Sequence, residues 1–217
     1  MPRIGVFDSG VGGLSVVNAI KNALPDAQVE YIDDKANVPY GSKSPKQLYE
    51  LVLPVLDKLS ETNDVIVVAC NTVSTTLINQ LRQKIKVPLV AMEPMVKLAV
   101  NISKSKIIAI CATPTTLASE RFAWLKNEYA AGLKIIEPDC SKWAYMIEGN
   151  RIDHKIIDKQ IDEVCQAGAD VIVLGCTHYH WIEQDIKKVA VSYNATVLQP
   201  EQPVIEQLQR VLEQISE

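Results

Sequence analysis

The 217-residue sequence is notable first for what it does not contain. It has no run of basic residues and its net charge is −4, so nothing in it is set up to neutralise the phosphates of a nucleic acid. The amino terminus, Met1-Pro2-Arg3-Ile4-Gly5-Val6-Phe7-Asp8, reaches a carboxylate after only a few apolar residues. It therefore offers neither a secretory h-region nor a membrane span, and the expected location is the cytoplasm, away from any membrane. In that reducing compartment the five cysteines, Cys70, Cys111, Cys140, Cys165 and Cys176, are too widely spaced and odd in number to form a disulfide framework. Low-complexity linkers are missing, and no heptad or alternating surface indicates an oligomer.

What is present is ordinary globular composition, 47% hydrophobic and 22% charged, ample for a sizeable core. A small-molecule partner is favoured. Short apolar runs at 3–7, 29–32, 65–69, 106–111, 134–136, 171–175 and 196–198 read as buried parallel strands. Stretches with apolar residues at three- and four-residue steps, such as 14–24 and 48–59, read as helices between them. The expected class is α/β with parallel sheets. The stretch 86–89 and the Glu93-Pro94 turn read as a mid-chain hinge.

An internal repeat carries more information. Asp64-Val-Ile-Val-Val-Ala-Cys70-Asn-Thr and Asp170-Val-Ile-Val-Leu-Gly-Cys176-Thr-His share a pattern at an offset of 176 − 70 = 106 residues, about half the chain. Ile4-Gly-Val-Phe-Asp8-Ser9 and Ile108-Ala-Ile-Cys-Ala112-Thr113 repeat at 104. Apolar strands resemble one another because Val and Ile suit buried sheets, but that does not explain a cysteine in both copies. Each Cys falls just past a strand's carboxyl end, where open α/β sheets bind ligands. Two such halves facing each other bring two thiols to one crevice.

Two thiols suit inversion of a carbon stereocentre without a cofactor. One face needs a base to remove the α-proton and the other an acid to return one, and a thiol titrating at ~8.5 serves either role near neutral pH. A helix start just after each Cys is expected to favour the thiolate. Asp8 and His178 are candidate proton relays, weighed against a helix N-cap for Asp8 and an ordinary core or surface histidine for His178. The turn Ser9-Gly10-Val11-Gly12-Gly13 reads as a backbone site for a substrate carboxylate. As a dinucleotide fingerprint, with Asp33 as the acidic residue, it is incomplete because position 15 is Ser. The Val38-Pro39-Tyr40-Gly41-Ser42 turn is a second anion-site candidate. Zinc at Cys176, His178 and His180 is disfavoured for want of a second ligand cluster, so no metal is expected. Cys111 and Cys165 read as core.

Asp8-Ser9-Gly10-Val11-Gly12-Gly13, Pro39-Tyr40-Gly41, Cys70-Asn71-Thr72 and Gly175-Cys176-Thr177-His178-Tyr179 resemble, in order and spacing, the motifs of bacterial glutamate racemases in the aspartate/glutamate racemase superfamily. The resemblance covers nearly the whole chain. It implies that Cys70 and Cys176 exchange protons with the substrate, assisted by Asp8 and His178, with Glu148 as an acidic residue beside the second cysteine. Ser9, Tyr40, Gly41, Asn71, Thr72, Thr113, Thr116 and Thr177, together with Asp8 and His178, would bind the substrate. It implies two pseudo-symmetric α/β halves, residues 1–96 with 199–217 and residues 97–198, with the site between them and the last helix, 204–215, returning to the first half. The implied reaction interconverts L- and D-glutamate for peptidoglycan without a cofactor, and a homodimer is the family expectation. His180, Trp181, Ser141, Tyr145 and Gln199 depart from the family pattern, which keeps open an aspartate or other amino-acid racemase, or a binding protein that has lost turnover.

Overall fold

The computed structural model describes residues 1–216. Along the chain run β1 (Arg3–Asp8), α1 (Gly13–Ala23), β2 (Gln28–Asp33), α2 (Pro45–Thr62), β3 (Val65–Val68), α3 (Asn71–Arg82), β4 (Leu89–Ala91) and α4 (Val96–Ile102). Then come β5 (Ile107–Ala112), α5 (Pro114–Leu117), α6 (Glu120–Tyr129), β6 (Lys134–Ile136), α7 (Trp143–Glu148), α8 (His154–Gln166), β7 (Val171–Gly175), α9 (Glu183–Val191), β8 (Thr196–Leu198) and α10 (Glu201–Ser216). The strands form two four-stranded sheets, ordered β2-β1-β3-β4 and β6-β5-β7-β8, and every pairing is parallel. The second sheet repeats the order of the first, as the internal repeat demands.

Successive residues of a strand point to opposite faces, and both faces of each sheet are covered by helices. In the first sheet Phe7, Ile66 and Val68 pack against Leu48, Val52, Leu56 and Leu59 of α2 and Val73, Leu77 and Leu81 of α3. Their alternates, Ile4, Val6, Val65 and Val67, pack against Val16, Val17 and Ile20 of α1 and Val204, Ile205 and Leu208 of α10. In the second sheet Ala109, Cys111, Ile172 and Leu174 meet Trp143, Ile147, Ile157, Ile161 and Ile186. Ile108, Ile110, Val171 and Val173 meet Val96, Ala99, Phe122 and Leu125. Two-sided burial is why these strands read as unbroken apolar runs. Helix α2 begins in a capping box, with Ser44 accepting from Gln47 and Pro45 at its first turn, and its buried residues recur every three or four positions.

One expectation fails here. The stretch 86–89, read as a hinge, leads instead into β4, whose Leu89 and Val90 are buried at the sheet edge beside β3. Pro88 disguised it, because a proline ahead of a three-residue strand looks like a turn, yet its carbonyl accepts from Ile66 N–H. The repeat held the signal: β8 begins 196 − 89 = 107 residues later, in the same sheet position. No helix among the described residues is long and apolar enough to cross a membrane.

Candidate active site

The carboxyl ends of β1, β3, β5 and β7 converge on one small cavity. Cys70 comes one residue after β3, past Ala69, and directly precedes α3, and Cys176 directly follows β7 and precedes a 3-10 helix, Thr177–Ile182. Both thiols are buried and both line the cavity, with Ser9, Tyr40, Gly41, Asn71, Thr72, Thr113, Glu148 and His178. All five cysteines are free, and Cys111 and Cys165 are buried in the second half's core. The cavity measures only about 20 Å³, so its walls must part to admit an amino acid.

The two thiols have different company. The Cys70 sulfur lies 3.4 Å from the Ser9 hydroxyl. Burial pushes its pKa up to about 12; the nearby charge of Asp8 adds to the rise, and the bonds to Ser9 and to the Val73 N–H oppose it. The expected thiolate preference at the start of α3 is therefore reversed, because desolvation outweighs the helix-terminal N–H. Cys176 lies 3.7 Å from Nδ1 of His178, whose Nε2 lies 2.7 Å from the Glu148 carboxylate. Burial alone would lower the His178 pKa. Its bonds to Cys176 and Glu148 and the charge of Asp8 outweigh that and hold it near 11, so the ring is an imidazolium at neutral pH. Glu148, bonded to this ring, is held below the usual carboxylate range.

The glycine-rich turn does not present its N–H groups to the cavity. Gly13 and Gly10 donate to Asp8 Oδ2 at 2.9 and 3.3 Å, and Val11 donates to Glu148 Oε1 at 2.9 Å. The expected substrate-carboxylate site is thus filled by two of the protein's own carboxylates. Asp8 is fully buried, is pushed above its ordinary pKa by that burial, and accepts from the Thr177 hydroxyl at 3.1 Å. It reaches Cys70 through its charge, and no hydrogen bond joins the two among the described residues. The turn is glycine because the halves touch here: a Cβ on Gly12 would sit 2.6 Å from the backbone of Thr177 and His178.

On the far wall the hydroxyls of Thr72 and Thr113 are 2.9 Å apart, and Thr113 donates to Thr116 at 3.0 Å. Thr116 stands behind this pair, fully buried, and Thr177 likewise faces Asp8; neither reaches the cavity wall. Asn71 does, and neither polar atom of its buried amide has a partner among the described residues. A substrate's charged groups would satisfy them. Sequence reasoning missed Asp34, which accepts from the Tyr40 hydroxyl, and Thr115, which donates to the Gly41 carbonyl at 2.6 Å. His180 sits apart from Cys176, beside Gln199 at 3.2 Å and Glu201 at 3.4 Å. Trp181 and Tyr145 are exposed.

A model of the family described as Asp/Glu/Hydantoin racemase matches residues 4–209. The chain belongs to this family. Among its relatives, the glutamate racemase of Pseudomonas syringae pv. tomato is 34% identical, over 96% of this chain and 78% of its own length. That of Methylococcus capsulatus is 37% identical, over 86% and 71%. Among solved structures, Escherichia coli glutamate racemase in complex with L-glutamate and the activator UDP-MurNAc-Ala superposes with a TM-score of 0.89 at 27% identity, covering 98% of this chain and 82% of that one. Aquifex pyrophilus glutamate racemase gives 0.78 at 32% identity, covering 96% and 83%. This racemase fold is therefore the α/β pair of facing sheets that the repeat implied.

Proposed function

We propose that the chain interconverts L- and D-glutamate by proton transfer between the substrate's α-carbon and two thiols, with no cofactor. The observation that carries this is the pair of strand-end cysteines, Cys70 and Cys176, in the wall of one cavity, in a chain whose relatives are glutamate racemases. The halves take the boundaries 1–96 with 199–217 and 97–198, each contributing one thiol.

In one direction a Cys176 thiolate removes the α-proton and becomes a thiol. The electron pair left on carbon spreads into the α-carboxylate, and Cys70 delivers its own proton to the opposite face and becomes the thiolate. In the other direction the roles exchange, and proton count is conserved in both. The His178 imidazolium offsets negative charge at Cys176, and Glu148 keeps that ring charged. Ser9, hydrogen-bonded to the Cys70 sulfur, assists the other thiol, while Asp8 orders the Gly10–Gly13 turn and Thr177. Asn71, Thr72, Thr113, Tyr40 and Gly41 would bind the substrate's carboxylates and ammonium, with Thr116 supporting Thr113. A closed cavity keeps bulk water from quenching the carbanion. Cytoplasmic supply of D-glutamate to peptidoglycan, and a homodimer, follow as family expectations.

Incubation with each enantiomer in deuterated water tests this directly. Deuterium should enter the α-carbon from either enantiomer, and circular dichroism should decay to zero. Cys70→Ser and Cys176→Ser should each abolish full racemisation with the melting curve unchanged. Near-normal turnover in both directions by either variant refutes the two-thiol scheme. Turnover of aspartate in place of glutamate corrects the substrate, and binding without deuterium uptake marks a silent homologue.

A further inference from the structure

Outside the catalytic cavity lies a second depression of about 460 Å³, which shares Val38, Pro39 and Glu148 with the cavity wall. Pro39 and Glu148 border both spaces, so the depression abuts the catalytic cavity. Two cations line the depression from opposite halves: Lys35, just after β2, and Arg151, just after α7. The charges around it can be paired off. Lys35 faces Asp33 at 3.0 Å, and Glu148 faces the His178 imidazolium at 2.7 Å, so these two pairs nearly cancel. Asp34 is outside the lining and turned toward Tyr40 and Asn37. Arg151 makes no ion pair among the described residues; its backbone N–H is fixed on the Met146 carbonyl. The mouth therefore carries local positive charge on a chain whose net charge is −4.

We propose that this depression is a holding site for an acidic amino acid on its way to the thiols, with Arg151, backed by Lys35, attracting the substrate's surplus carboxylate. The inference rests on the glutamate reading, because a dicarboxylic amino acid carries a net negative charge at neutral pH while a monocarboxylic one carries none. A negatively charged protein repels such a substrate at long range, and a cation at the mouth reverses that force locally. The site also ranks substrates before chemistry begins, since neutral amino acids feel no such pull. Lys35 contributes less than Arg151 for as long as Asp33 holds it.

The test is kcat/KM for glutamate across a series of salt concentrations. In Arg151→Gln, kcat/KM at low salt should fall about tenfold with kcat unchanged, the lower end of the range electrostatic steering spans. The decline of kcat/KM with salt seen in the parent should flatten, because screening has less attraction left to remove. Lys35→Gln with Arg151→Gln should deepen the loss. Asp33→Asn, which releases Lys35, should move kcat/KM the other way. The proposal is overturned if the double variant keeps the parent's kcat/KM and salt slope, if kcat falls while KM stays put, or if Asp33→Asn lowers kcat/KM. A parent that racemises glutamate while the variants match it defeats this inference alone; a parent that turns over no glutamate defeats the functional reading and this inference with it.

Discussion

Replacing Glu148 with Gln isolates one charge while keeping the shape of the site. The Gln carbonyl can still accept from His178 Nε2 and from Val11 N–H, the two groups Glu148 Oε1 now serves at 2.7 and 2.9 Å. Opposite unit charges about 4 Å apart attract by about 4 kcal/mol at an effective dielectric of about 20. The Glu148 side chain is 14% exposed, and solvent screening reduces that to about 2 kcal/mol, equivalent to about 1.5 pH units. The His178 pKa should therefore drop from about 11 to about 9.5. The chain has only three histidines, so the imidazole resonances can be assigned and titrated by NMR. Racemisation should be near normal at pH 7.5, where the ring stays charged, and should fall with a midpoint near ~9.5 instead of near 11. Stability follows the same sign. The folded-state value lies above the unfolded ~6.5, so the contribution is complete below that pH and drains away as pH rises through the folded value, earlier in the variant. A His178 titration that moves by less than half of the expected shift would falsify the claim that Glu148 holds the ring charged.

Gly12→Ala should lose about 1–3 kcal/mol in thermal or urea unfolding and lose activity with it, since the added methyl meets Thr177 and His178 backbone at 2.6 Å; an unchanged melting temperature contradicts the close approach of the halves. Asn71→Leu should abolish turnover yet hold or raise stability by up to about 2 kcal/mol, because it removes a buried amide with no partner; a clear loss of stability would show that the amide is satisfied. Asp170→Asn should cost about 2 kcal/mol, because its carboxylate accepts from Ser103, Lys104 and Ser105 at 2.6 to 2.8 Å. Although burial opposes it, these bonds hold the Asp170 pKa below its ordinary value. The advantage of the parent should thus be present above pH ~4 and shrink as pH falls further, as urea titrations at several pH values would show.

The sheets were legible because two-sided burial leaves a plain signature, and the cysteine pair because a repeat of 106 residues placed one at the same strand end in each half. Strand β4 escaped because Pro88 and a length of three residues imitate a turn. The occupants of the Gly10–Gly13 turn escaped for a deeper reason. A sequence shows that N–H groups will point somewhere, but which carboxylate they meet depends on how the halves dock, and Glu148 arrives from 137 residues away. The same holds for Cys70, since a helix start predicts a lowered thiol pKa and only the packing around the sulfur reverses it.

That reversal bears on how a symmetric fold runs an asymmetric resting state. The repeat places both thiols at the same strand end, with α3 after one and a 3-10 helix after the other, and Asp8 puts a buried negative charge near Cys70 while His178 puts a buried positive charge beside Cys176. Before substrate arrives, Cys70 therefore rests as the thiol and Cys176 has the partner that tolerates negative charge. An α-hydrogen on the Cys176 face is thus offered to a sulfur with a cation beside it, and one on the Cys70 face to a sulfur with a carboxylate's charge nearby. A racemisation has an equilibrium constant of one, so kcat/KM must match in the two directions at every pH, and the asymmetry can show only as kcat and KM that differ by the same factor. Initial-rate curves from each pure enantiomer measure both constants, and equal kcat values in the two directions would mean that the unlike surroundings of the sulfurs do not reach the rate.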